Sequence, residues 1–189
     1  MPIPSCLRGF PALEILQADL RGASFNFGAL AGLVSLRALS LSNGNLRGTP
    51  PAELRLSAVE LRGARVTGID ALMGHSTLRA LRLRAIAGVR SIEALAHHAN
   101  LRVVALEALP YLDCLEALAT LPQLESLVLD GLWQFSIAEA AVVGSLHRLK
   151  YLAIDIGGRR KNVEIARRLQ TTKPPPFDIR ERAYDFTIS

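Results

Sequence analysis

The sequence predicts an α/β solenoid: a right-handed superhelix in a horseshoe arc, with a parallel β-sheet on its concave side and short helical or 3₁₀ segments on its convex side. Three observations carry that expectation. The pattern L-x-x-L-x-L begins at Leu36, Leu56, Leu78, Leu101, Leu124 and Leu149, with Val or Ile replacing Leu at some inner positions. The intervals between copies are 20, 22, 23, 23 and 25 residues, a period that belongs to stacked repeats rather than to a closed globule. Between the copies, apolar residues recur three apart, at Leu30 and Leu33, Ile69 and Leu72, Ile92 and Leu95, and Leu115, Leu118 and Leu121. That spacing suits single helical or 3₁₀ turns.

Within each copy the fourth and sixth positions share one face of an extended strand and point inward, while the fifth and seventh point outward. A lone strand cannot bury such a face, so neighbouring copies must supply a continuous core and a parallel sheet. A further copy precedes Leu36 in one of two frames. Leu13, Leu16 and Ala18 match in the first, and Ile15, Ala18 and Leu20 in the second. The frames differ by one strand period, so both leave Gln17 and Asp19 facing out.

Ser91 and Ser136 each precede a short apolar-acidic run and read as helix N-caps. The last two return segments should be the most helical, whereas Thr49-Pro50-Pro51 leaves the shortest repeat little room for a helix. After the last strand, Gly157-Gly158 breaks the pattern and a helix is predicted from Asn162 through Gln170, with Val163, Ala166 and Leu169 as its apolar residues. The expected organisation is therefore a solenoid of about seven repeats over 1–156, a C-terminal capping helix within 157–170, and a Pro-rich extended tail over 171–189.

Over roughly residues 10–156 the motif resembles the leucine-rich repeat superfamily. The resemblance implies a non-enzymatic module that binds another protein through its concave strand face. Bacterial proteins of this kind serve as scaffolds, as effectors or as toxin-neutralising (immunity-type) proteins, and the chain also reads as a structural repeat fragment of a larger effector or scaffold. One departure stands out. The ninth position, where the family often buries an Asn that satisfies backbone groups, holds Gly44, Ala64, Ile86, Leu109, Leu132 and Gly157. The turns must then satisfy their peptide groups through backbone or water, and irregularity is expected there.

The 189 residues, half of them apolar, suffice for one domain with a sizeable core. A net charge of +5 favours acidic partners without demanding nucleic acid. Lys150, Lys161 and Lys173 are the only lysines among 22 basic residues, and this arginine bias points to a GC-rich, bacterial genome. Cys6 and Cys114 stand about four rungs apart, roughly 19 Å at strand spacing and beyond disulfide reach. Free thiols, no basic-then-apolar leader and no run of 18 apolar residues predict a cytoplasmic monomer without a membrane span, with a secreted effector left open.

The outward positions form columns. Position 5 reads Gln17, Ser40, Glu60, Arg82, Ala105, Val128, Ala153, and position 7 reads Asp19, Ser42, Arg62, Arg84, Glu107, Asp130, Asp155. Position 2 adds Arg37, Ser57, Arg79, Arg102, Glu125 and Lys150. Arginines thus occupy the first and middle rungs and acids the later ones. The expected partner-binding set is Arg37, Arg62, Arg79, Arg82, Arg84, Arg102, Glu107, Glu125, Asp130, Tyr151 and Asp155. Val128 and Tyr151 are candidate apolar anchors. The competing reading is a solvated face whose opposite charges pair between rungs.

Other chemistry finds little support. His75 and His98 fall at equivalent places in adjacent repeats, with His97 beside them, but no further ligand pattern completes a metal site, and turn histidines are expected. The Arg159-Arg160-Lys161 run with Arg167 and Arg168 lacks interleaved aromatics, so nucleic acid is disfavoured. Trp133 and Phe135 are expected as core plugs at a strand exit. No phosphate-cradling loop, nucleophile elbow or paired metal motif occurs, and Cys114 has no nearby His, so no catalytic residue, metal or cofactor is expected.

Overall fold

The computed structural model describes residues 7, 9–66, 69–73 and 75–172. In chain order it contains β1 (Ile15–Asp19), β2 (Ser24–Asn26), a 3₁₀ turn (Phe27–Leu30), β3 (Ala38–Ser42), β4 (Asn45–Arg47), β5 (Ala58–Arg62), β6 (Arg65–Val66) and α1 (Ile69–Met73). There follow β7 (Ala80–Arg84), a 3₁₀ turn (Glu93–Leu95), β8 (Val103–Glu107), α2 (Glu116–Ala119), β9 (Ser126–Asp130), α3 (Ile137–Ala140) running into a 3₁₀ turn (Ala141–Ser145), β10 (Tyr151–Asp155) and α4 (Arg159–Thr172). The tail from residue 173, together with Pro2, Pro4 and Cys6, lies outside the described residues. Cys114 carries a free thiol.

The seven five-residue strands stack in the order β1-β3-β5-β7-β8-β9-β10, every neighbouring pair parallel and in register. Leu16, Leu39, Val59, Leu81, Val104, Leu127 and Leu152 form one inward column, and Ala18, Leu41, Leu61, Leu83, Leu106, Leu129 and Ile154 the other. The register pairs Leu16 with Leu39, which selects the Leu13-Leu16-Ala18 frame for the first copy. From Leu39 to Leu129 these column residues are buried without exception. Each such side chain contributes about 2 kcal/mol of burial energy, and only because a neighbour above and below completes its surroundings.

A second, three-stranded sheet, β2-β4-β6, lies beyond the first three strands and was not anticipated from the leucine motif. Its signal is a period of two: Phe25 between Ser24 and Asn26, Leu46 between Asn45 and Arg47, and Val66 after Arg65. Phe25, Leu46 and Val66 are buried and their neighbours face outward. Phe25 meets Phe27 edge to face, with ring centres 6.0 Å apart. From the fourth repeat onward this side carries no strand among the described residues, and the return segments form the Glu93–Leu95 3₁₀ turn, α2 and α3, while α1 already follows β6 in the third repeat. Ser136 caps α3 in a reciprocal capping box with Glu139. Ser91 instead accepts the Glu93 N–H two residues on, while Ile92 holds the N-cap position without a side-chain bond.

The absent Asn ladder does not produce the expected irregularity. Its place is taken by a column of left-handed residues at position 8: Asn43, Gly63, Ala85, Ala108 and Gly131 have φ of 55, 58, 52, 49 and 62°. Each N–H donates to the position-7 carbonyl of the next rung at 2.8–2.9 Å, so the ladder runs one residue past the strands before the chain turns. Side chains bridge other turns to the preceding rung: Asn45 to Gly22 O, Thr77 to Leu56 O, Asn100 to Ser76 O and Gln134 to Leu109 O. A non-glycine residue in the left-handed region carries strain of about 1–2 kcal/mol, partly offset by the greater chain entropy that glycine loses on folding. Ala85→Gly should therefore stabilise the fold by about 0.5–1 kcal/mol. Chemical denaturation of the two proteins measures this directly, and a lower midpoint for the glycine variant would contradict it.

The terminal helix starts earlier than the sequence suggested. Gly157 and Gly158, with φ of 102 and 85°, reverse the chain, and α4 begins at once at Arg159. Asn162 is not a conventional cap. Its Nδ2 donates to Asp155 Oδ1 at 2.8 Å and its Oδ1 accepts the Ile156 N–H at 3.2 Å, tying the helix to the end of β10. Ile165 is buried, and α4 packs against α3 and the following 3₁₀ turn.

The outward face of the sheet as candidate partner-binding surface

The strand register determines which of the predicted charges meet. Arg82 sits between two acids: its Nε donates to Glu107 Oε1 at 2.7 Å, and its Nη1 is 3.6 Å from Glu60 Oε1. Arg84 approaches the other Glu107 oxygen at 3.5 Å, and Ser40 donates to Glu60 at 2.9 Å. Glu107 is consequently almost wholly buried on a face that is nominally open. On position 2, Glu125 bridges Lys150 at 2.7 Å and Arg102 at 3.6 Å. The Lys150 hydrogen bond holds its carboxyl below the usual range, helped by nearby Arg102 and Arg148.

Rung-to-rung pairing therefore absorbs Arg82, Glu107, Arg102 and Glu125. Arg37 donates to the Val34 carbonyl at 3.1 Å, while Arg62 and Arg79 stand exposed at separate heights of the stack. At the N-terminal end Asp19 accepts Arg21 N–H and Asn43 Nδ2, which lowers its pKa.

The last three rungs differ. Position 5 becomes Ala105, Val128 and Ala153 in register, with Tyr151 and the buried Ser126 on the same face two residues earlier. Beside this apolar strip, position 7 stacks Glu107, Asp130 and Asp155 on consecutive strands. Partial burial, then the flanking Glu107 and Asp155, push the Asp130 carboxyl above its usual pKa, although Arg84 and the Gly131 N–H act in the other direction. Asp155 is oriented by Asn162 and by the Gly157 N–H at 3.1 Å.

Trp133 does not plug the core. It is 72% exposed, whereas Phe135 is 1% exposed. Leu132, fully buried, occupies the inward position after β9, so the next side chain is directed out and Phe135 returns to the core. The basic run is also partly committed: Lys161 Nζ bonds the carbonyls of Trp133 and Phe135 at 3.4 and 3.1 Å, and Arg167 and Arg168 pair with Glu164.

His75, His97 and His98 lie in the segments that connect the strands. His98 Nε2 lies 2.6 Å from the His75 carbonyl of the preceding repeat, and the described residues hold no cluster of His, Cys, Asp or Glu that could take a metal. Burial holds the His75 imidazole below its ordinary pKa of 6.5. The unfolded chain therefore binds this proton more tightly than the folded one, so stability is complete above about pH 6.5 and falls as pH drops through that value. Melting temperature should decline between about pH 7 and pH 5, and His75→Gln should flatten the decline. An unaltered slope in the variant would assign the effect elsewhere.

The sequence matches no family model and no curated protein. The structure is similar to internalin C2 of Listeria monocytogenes, with a TM-score of 0.59 and 21% identity, over 86% of this chain and 70% of that one. This chain has the leucine-rich repeat fold. Internalin F of the same organism is also similar, with a TM-score of 0.48 and 16% identity, over 94% of this chain and 64% of that one. No helix among the described residues is long and apolar enough to cross a membrane.

Proposed function

We propose that this leucine-rich repeat chain is a non-enzymatic binding module that takes a protein partner on the outward face of its seven-stranded sheet. The observation that carries the reading is the composition of the last three rungs. A surface that only needed solvation would continue the polar residues of Ser40, Glu60 and Arg82, yet position 5 turns to Ala105, Val128 and Ala153 beside Tyr151. Apolar side chains ringed by charge are the composition of an interface centre and its rim. The Arg82–Glu107 network then serves chiefly to shape the middle of the face, while the partner contacts fall toward β8, β9 and β10.

Affinity capture from the native cell, read by mass spectrometry, tests this. Val128→Arg places a charge at the centre of the strip and should abolish capture of the specific partner. Val163→Glu, on the exposed side of α4, should leave capture intact. A partner retained equally by both variants would move the binding surface off the sheet.

A further inference from the structure

Beyond the end of β9 an aromatic ring, Trp133, stands exposed near the last strand. Trp133 packs against Gly157: a methyl group placed there would come within 2.9 Å of its Cδ1. The Gly157 N–H in turn donates to Asp155 Oδ1. The indole thus lies against the turn whose N–H holds Asp155, and Asp130 is in register with Asp155 one strand away, with Val128 and Ala153 paired two residues earlier.

Of the three stacked acids, Glu107 is met by Arg82 and Arg84, and Asp155 by the neutral donors of Asn162 and Gly157. Asp130 lies between these two carboxylates on strands about 4.8 Å apart. Trp133 has the highest exposure among the large apolar side chains described. An exposed indole at the end of strands that carry Asp130 and Asp155 is complementary to one kind of group, a cation on an apolar stem, because the ring face and the acids attract it together.

We propose that Val128, Asp130, Trp133, Ala153 and Asp155 form the docking surface for a protein segment presenting an arginine or lysine beside an apolar side chain. The same acids repel phosphate, so an anionic polymer is not the occupant. Two cations of this end are already engaged, Arg84 with Glu107 and Lys161 with the Trp133 and Phe135 carbonyls.

Trp133 is the sole tryptophan, so its emission reports the site directly. The full chain is titrated with the blocked pentapeptide acetyl-Leu-Arg-Val-Arg-Leu-amide and with its glutamate counterpart, in which both arginines are replaced. A saturable change in emission is expected with the basic peptide alone, weakened in high salt and at least fivefold by Asp130→Arg. No saturable change, an equal response to the acidic peptide, or an unaltered affinity in Asp130→Arg would overturn the proposal. Circular dichroism melts establish that the variant is folded, and Asp130→Asn, which keeps the side-chain shape, repeats the comparison if it is not.

The placement rests on the sheet face being the docking face, and the captured native partner separates the two ideas. Loss with Val128→Arg but retention with Asp130→Arg keeps the sheet face and removes the acidic placement. Retention with Val128→Arg removes the sheet-face reading itself.

Discussion

Leu106→Ala should destabilise the protein by about 3–4 kcal/mol, a large fraction of the ~5–15 kcal/mol that holds a domain folded. Leu106 is fully buried in β8, with Leu83 and Leu129 in register on either side and likewise fully buried. Truncation removes the transfer energy of the lost carbons and leaves a cavity that neighbours fixed in a parallel ladder cannot readily collapse. In a stacked repeat the loss also weakens two interfaces at once, between β7 and β8 and between β8 and β9. Denaturant titration followed by far-UV circular dichroism should show a clearly lower midpoint, with any intermediate retaining the N-terminal repeats and their second sheet. A shift below about 1 kcal/mol would mean that the central rungs tolerate voids and that the leucine column is not the main source of stability.

The second large effect is expected at Arg82. Its side chain is 18% exposed and that of Glu107 8% exposed, so the pair is mostly removed from water. Arg82→Ala leaves Glu107 buried, with Arg84 at 3.5 Å as its remaining partner and Asp130 as a like charge on the next strand. Breaking such a pair by removing one member costs about 3 kcal/mol, most of it the penalty of the carboxylate left behind. The double variant Arg82→Met, Glu107→Leu should recover most of the loss, because the apolar pair has no stranded charge. Thermal melts of the two single variants and the double variant complete the cycle. Additive losses would show that the two residues act independently and that the observed 2.7 Å contact contributes little.

These two residues also show how much of the fold was legible. Leu106 was readable because its spacing recurs, and a period-two pattern inside a two-dozen-residue period admits few architectures. β2, β4 and β6 were not read from the sequence: Phe25, Leu46 and Val66 beside polar residues give two or three positions per repeat, a weak signal beside six leucine motifs. The candidate site was legible as a set of outward positions. Its pairing was not, since Arg82 and Glu107 are 25 residues apart and meet through Nε only when the strands have stacked in one register.

Trp133 marks the same boundary. By composition it belongs in a core, and the chain had no local reason to place it elsewhere. Only the fully buried Leu132 before it and Phe135 after it turn the indole outward, against Gly157.

The sequence by itself determined the stacked-repeat architecture, the inward columns and the outward positions of the seven stacked strands, because these follow from local periodicity. The tertiary structure decided the frame of the first strand, the left-handed column that replaces the Asn ladder, and which charges of the outward face pair between rungs. Each of these depends on distances between rungs, and a charge, a carbonyl or a ring has its effect only once the neighbouring repeat is in place.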